Sequence, residues 1–159
     1  MACDSLLAKL AAFVRGMGVE VRAVALTEPT FLPGLDIRHG AILLDETRLT
    51  YPGDLLHEAG HIAVADPAER KQEKLSPNLG DEIATIAWSY AAALHLEIDP
   101  TIVFHAGGYR GASAAYIENF NAKRYVGVPL LQLYGMTVEP RFAAARQVDP
   151  FPHMLRWMR

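Results

Sequence analysis

His57, Glu58 and His61 stand in the order His-Glu-x-x-His, two imidazoles four residues apart with a carboxylate beside the first. On an α-helix, positions i and i+4 are offset by only about 40° and their Cβ atoms lie roughly 6 Å apart, so both rings can reach one tetrahedral metal ion. Glu58 falls beside that face, where a carboxylate can take a proton from water. The chemistry such a group points to is metal-assisted hydrolysis, with zinc as the expected ion and Glu58 as general base. A chance match to the pattern arises in roughly one chain of this composition in a hundred. The surroundings lower that further, because Leu55, Leu56, Ala59, Ile62 and Ala63 give the same segment an apolar face that would bury it. A buried imidazole without a partner costs on the order of 1 to 3 kcal/mol, so two of them on such a helix call for a ligand or hydrogen bonds.

A catalytic zinc takes three protein ligands and leaves a position for water. No third histidine follows His61 within the next six residues. Glu82 is the expected third ligand, since Glu82, Thr85 and Ser89 form a narrow polar stripe on a helix otherwise made of Ile83, Ala84, Ile86, Ala87, Trp88 and Ala91. Asp81 is the alternative. Acidic residues are also favoured in a first helical turn by the macrodipole, worth about 0.3 to 1 kcal/mol, which gives both a second reason to be there. His95 lies roughly 20 Å further along the same helix and is expected to be structural.

The elements that must position these residues follow from periodicity and punctuation. Asp4 or Ser5 is expected to cap a first helix with Leu6, Leu7, Leu10, Phe13 and Val14 on one face. Residues 19–26 alternate as a strand, and residues 35–38 and 41–45 read as two further extended runs joined by a tight His39-Gly40 turn. The signature helix is expected to begin at Thr50 or Asp54, with Pro52 in a first turn, and to end at Asp66-Pro67. A loop spanning residues 69–80 precedes a long apolar helix over residues 81–96. A short helix starts at Asp99-Pro100, another is expected to be capped by Ser113 and to run through Phe120, and the chain is expected to end in a short helix around residues 154–158. The expected fold class is α+β, a small antiparallel sheet packed on the active-site helix and several further helices, in one domain over residues 1–159.

Composition bounds the function. The chain has 159 residues, 51% of them hydrophobic, and a net charge of −3 from fifteen basic and eighteen acidic side chains, so nucleic acid is not an expected partner. With one cysteine, Cys3, neither a disulfide framework nor a thiolate zinc site can be built within the chain. The N-terminal residues lack a basic n-region and no apolar run reaches the roughly 20 residues of a membrane span, which makes cytoplasmic the expected location.

Residues 40–99 resemble the gluzincin-type metallopeptidases, and among them the small intracellular ImmA/IrrE-like and other minimal zincins. The resemblance rests on the strand Ala41-Ile42-Leu43-Leu44, the His57-Glu58-x-x-His61 helix and an acidic residue opening an alanine-rich helix. It implies a zincin-like fold, zinc bound by His57, His61 and Glu82, Glu58 as general base, and a peptide or protein substrate. Asp81-Glu82-Ile83-Ala84-Thr85 departs from the Glu-x-x-Ala-Asn and Glu-x-x-x-Asp patterns of that family, and aligning Ala84-Thr85 on Ala-Asn moves the ligand slot to Asp81. A peptide is expected to pair with an edge strand over residues 41–45. His105, Tyr109 and Arg110, in a glycine-rich stretch without the spacing of a nucleotide site, are the candidates for a second donor to the oxyanion. The competing expectation is a degenerate, non-catalytic zincin fold that binds zinc and a partner protein and cleaves nothing.

Overall fold

The structure is a computed structural model that describes residues 2–76 and 78–159, with side chains from Ser5 onward. Those residues form an α+β structure of six α-helices and a three-stranded mixed sheet. Helix α1 (Ala2–Gly16) leads into β1 (Val21–Ala23), β2 (Leu35–Arg38) and β3 (Ala41–Leu44), then α2 (Asp54–Val64) and α3 (Leu79–His95). Helices α4 (Ser113–Asn121), α5 (Val128–Leu133) and α6 (Pro140–Arg146) complete the order, and two short 3-10 turns lie before α4. Among the described residues no helix is long and apolar enough to cross a membrane.

The sheet departs from the antiparallel expectation. β3 pairs antiparallel with β2 in the register Leu35 to Leu44 and Ile37 to Ile42, but parallel with β1 in the register Val21 to Ile42. The hairpin forms as expected, with His39 and Gly40 both at positive φ (51° and 75°), the geometry a two-residue turn demands. The excursion over residues 24–34, punctuated by Pro29 and Pro33, carries the chain across so that β3 lies between its neighbours. The expected edge strand over residues 41–45 is instead, over residues 41–44, the central strand; β2 is an edge. Asp45 lies outside the strand, its carboxylate accepting from Leu26 N at 2.9 Å and from Thr47 N and Oγ1 at 3.0 and 2.6 Å.

Ile42 donates its N–H to Glu20 O on the β1 side at 2.8 Å, so its partner Ile37 turns its own backbone groups away from β3. The Ile37 N–H is taken by the Asp36 carboxylate at 3.0 Å, which is also paired with Arg38 at 2.8 Å.

Helix α2 buries Leu55, Leu56, Ala59, Ile62 and Ala63 completely. Its C-terminal carbonyls are covered by Arg70, whose Nε donates to Ile62 O at 3.0 Å. Helix α3 packs along α2 and carries Trp88, fully buried, whose indole N–H donates to Trp157 O at 3.1 Å. Asn78 caps α3 by accepting from Asp81 N, which starts the helix earlier than expected. Three further expectations differ. α1 begins at Ala2, ahead of Asp4 and Ser5, so neither occupies a cap position, and the Asp4 side chain lies outside the described set. Ser113 does not cap α4; its hydroxyl donates to His105 O at 2.6 Å. Residues 154–158 form no helix; the C-terminal helices are instead α5 and α6, each with a proline in its first turn.

Candidate metal centre

The first two ligand candidates are placed by the turn of α2 itself, and the third by how closely α3 approaches it. Gly60 sits on the α2 face against α3, where a Cβ would stand 2.9 Å from Thr85 Cγ2 and 3.0 Å from Trp88 Cε3. Absence of that side chain lets the two backbones close up and brings the first turn of α3 over the histidines.

His57, His61 and Glu82 form a group that can hold a metal ion. His57 Nε2 and His61 Nε2 are 3.0 Å apart, and the Glu82 carboxylate reaches them at 3.5 and 3.1 Å. Two imidazole nitrogens and one carboxylate form a donor set suited to a divalent ion, and edges near 3.3 Å are what a tetrahedron with bonds of about 2.0 to 2.1 Å requires. The imidazole side chains are 11% and 9% exposed, whereas Glu82 is 39% exposed and borders the solvent.

Each imidazole also has a partner for its other nitrogen. His57 Nδ1 lies 3.0 Å from the Tyr109 hydroxyl and His61 Nδ1 lies 3.3 Å from Thr85 Oγ1. Such partners fix ring orientation and tautomer. The stripe on α3 thus divides its work: Glu82 and Thr85 reach the histidines, while Ser89 turns back and donates to Thr85 O at 2.8 Å. Asp81 faces elsewhere and accepts from the Tyr134 hydroxyl at 3.3 Å. His95 packs between Phe13 and Trp157, at ring-centroid distances of 5.7 and 5.1 Å.

The electrostatics match the chemistry of the group. Burial, aided by the charge of His61, pushes the His57 imidazole down to about 4, so it is neutral and able to offer a lone pair near pH 7. Burial pushes the Glu58 carboxyl up to about 7, where a carboxylate can both accept and return a proton. The hydrogen bond from His61 holds Glu82 below the usual carboxylate range.

All of these open on one cavity of about 660 Å³. His57, Glu58, His61 and Glu82 lie along it with Asp54, Tyr109 and Arg110. Leu35, Asp36 and Ile37 of the edge strand line it as well, and so do Phe31, 94% exposed, and Leu79, 76% exposed. Of the three residues expected to offer a second donor, Tyr109 and Arg110 face the cavity, with the Tyr109 hydroxyl on the far nitrogen of His57. His105 instead pairs with Asp54, Nε2 to Oδ1 at 2.7 Å, and stacks on Tyr51 at 3.7 Å.

Gly60 and Phe31 had no part in the sequence reading, and Asp54 entered it only as a candidate helix start. An isolated glycine inside a helical pattern signals a close helix contact, and an acidic residue four before Glu58 shares its face; Phe31 carries no such signal. No family model matches the chain, and no curated protein or solved structure matches it.

Proposed function

We propose that this chain is a zinc-dependent peptide hydrolase with a zincin-like catalytic centre, in which His57, His61 and Glu82 hold the ion and Glu58 is the general base. The observation that carries the reading is the position of Glu58: one residue from a metal-ligand candidate, on the same cavity, with its carboxyl raised to about 7. Zinc, when bound, would lower the pKa of a coordinated water from about 16 toward 7 and take up part of the charge that develops on the carbonyl oxygen.

The chain's own groups supply the rest. Neutral His57 offers Nε2, with its ring held by Tyr109, and His61 is held by Thr85. Glu58 takes the proton lost by the attacking water at its carboxylate oxygen. It then delivers that proton to the amide nitrogen, so that the C–N bond breaks to an amine and a carboxylic acid. A peptide is favoured as substrate because residues of the edge strand β2 and an apolar rim line the same cavity as the ligand candidates.

The test compares native protein with Glu58→Gln against mixed peptide libraries. Turnover by the native protein alone supports the reading, and equal turnover by both rejects it. Chelation separates catalysis from a zinc-stapled binding protein: a catalytic ion is lost with activity and little loss of helix, a structural one with unfolding.

A further inference from the structure

Tyr109 reaches the metal centre from a loop whose backbone is held in an unfavourable shape. Tyr109 and Arg110 have φ of 54° and 53°, and Gly111 follows at 84°, so three successive residues are left-handed and two of them carry side chains. For an L-residue that conformation costs roughly 1 to 2 kcal/mol and persists only where surrounding contacts over-determine it.

Those contacts are visible on both sides of the turn. Before it, His105 is clamped between the Tyr51 ring, stacked at 3.7 Å, and the Asp54 carboxylate at 2.7 Å. The carbonyl of His105 accepts from Ser113 Oγ at 2.6 Å and from Gly108 N at 3.1 Å, tying the start of the loop to the start of α4. Nδ1 of His105 is buried and has no partner, so the ring's hydrogen bonding is spent on Asp54 alone. On the other side, the Tyr109 ring packs against Phe104 at 5.1 Å and Tyr116 at 5.6 Å. Asp54 opens α2 three residues before His57. The helix that carries the metal ligands therefore also anchors the loop that delivers Tyr109 to one of them.

We propose that Tyr109 is a positioning residue for the metal centre: its hydroxyl accepts the Nδ1 proton of His57, fixing the tautomer whose Nε2 lone pair faces His61 and Glu82, and the Tyr51–His105–Asp54 group holds it there. The inference rests on the metal-binding half of the proposed function and not on turnover. The partner is a neutral phenol 52 positions along the chain, and it acts on the nitrogen remote from the ion, so it sets affinity and ring orientation without touching a reacting atom.

The experiment uses the whole chain. Zinc affinity is measured by competition with a chelator for native protein, Tyr109→Phe and Tyr116→Phe, and the imidazole tautomers of metal-stripped native and Tyr109→Phe protein are read by nitrogen NMR. Tyr109→Phe keeps the ring contacts and is expected to bind zinc about 10- to 100-fold more weakly, with a mixed His57 tautomer. Tyr116→Phe is expected to bind as native, and native His57 to carry its proton on Nδ1. His105→Phe is expected to weaken binding several-fold in the native background and to add nothing in Tyr109→Phe, as a shared path of action requires. Should His105→Phe fail to fold, the Tyr109→Phe comparison decides alone.

Affinity within twofold of native for Tyr109→Phe, or a native His57 protonated on Nε2, overturns the inference while leaving the metal centre standing. Native protein that takes up less than about a tenth of an equivalent of zinc overturns both, and the two failures are thereby told apart.

Discussion

Gly60 of α2 and Thr85 of α3 are in such close contact that any side chain at position 60 would meet the threonine methyl, while the hydroxyl of that same threonine lies 3.3 Å from His61 Nδ1. The packing of two helices and the orientation of a ligand candidate thus share one residue. Gly60→Ala introduces a Cβ at 2.9 Å from Thr85 Cγ2. Overpacking costs about 1 to 3 kcal/mol, and the better helix propensity of alanine offsets about 1. A net loss of about 1 kcal/mol in urea unfolding is expected, together with weaker zinc binding as Glu82 is pushed off the histidines. A variant as stable as native with unchanged affinity would contradict this account of the helix contact.

Glu82 and its neighbour make opposite predictions. Glu82→Gln removes the proposed anionic ligand and is expected to leave less than about a tenth of the native zinc content by elemental analysis. Asp81→Asn, altering a side chain that faces Tyr134, is expected to keep the full content. The reverse pattern would transfer the third ligand to Asp81.

Glu58 and His57 give the metal-stripped protein a distinctive pH dependence. Glu58 has a carboxyl raised from 4.5 to about 7, so its contribution is fully present below pH 4.5 and is lost as pH rises through about 7. His57 is depressed from 6.5 to about 4, so its contribution is present above pH 6.5 and is lost as pH falls through about 4. Between about pH 4.5 and 6.5 the two slopes oppose, and native stability is expected to be nearly flat there. Glu58→Gln removes one of them. Its stability is expected to climb through that interval and to exceed native above about pH 7, by up to about 3 kcal/mol. Urea titrations between about pH 4 and 8 read the difference, and parallel profiles for the two proteins would refute the assignment.

The apolar rim is expected to bind substrate without taking part in the chemistry. Phe31 and Leu79 are large, exposed and on the cavity that holds the ligand candidates. Phe31→Ser and Leu79→Ser are expected to raise KM several-fold with kcat within about twofold of native on a peptide that the native protein cleaves. A fall in kcat at unchanged KM would place these residues nearer the reacting bond than the geometry implies.

Much of the centre is legible in the chain because it is local. His57 and His61 share a face by helical periodicity alone, and Glu82 with Thr85 falls out of the polar stripe on an otherwise apolar helix. What connects distant segments is not. Tyr109 depends on a left-handed turn that no spacing encodes, and the Asp54 to His105 pair spans 51 positions. The sheet was readable in its strands but not in its order: the unbroken apolar run Ala41-Ile42-Leu43-Leu44 is the mark of a strand covered on both sides, yet the crossing that puts it in the middle depends on the excursion before β2. Near the C-terminus, Met154, Leu155, Trp157 and Met158 have helical spacing, but Trp157 is drawn onto the Trp88 ring at 5.5 Å and its carbonyl receives the Trp88 indole, so docking prevails over local propensity.

The carboxylate of Asp36, seated on the Ile37 N–H and paired with Arg38, also bears on how copies of this molecule treat one another. An uncovered strand flank is a template for endless ribbon growth, and a charged plug on its donor position is among the commonest ways such polymerisation is kept in check. The neighbouring outward N–H groups are engaged as well, Leu35 with Leu32 O at 3.1 Å and His39 with Glu73 O at 3.3 Å, so a second copy meets a flank whose donors are already taken. The flank thus discourages fibres.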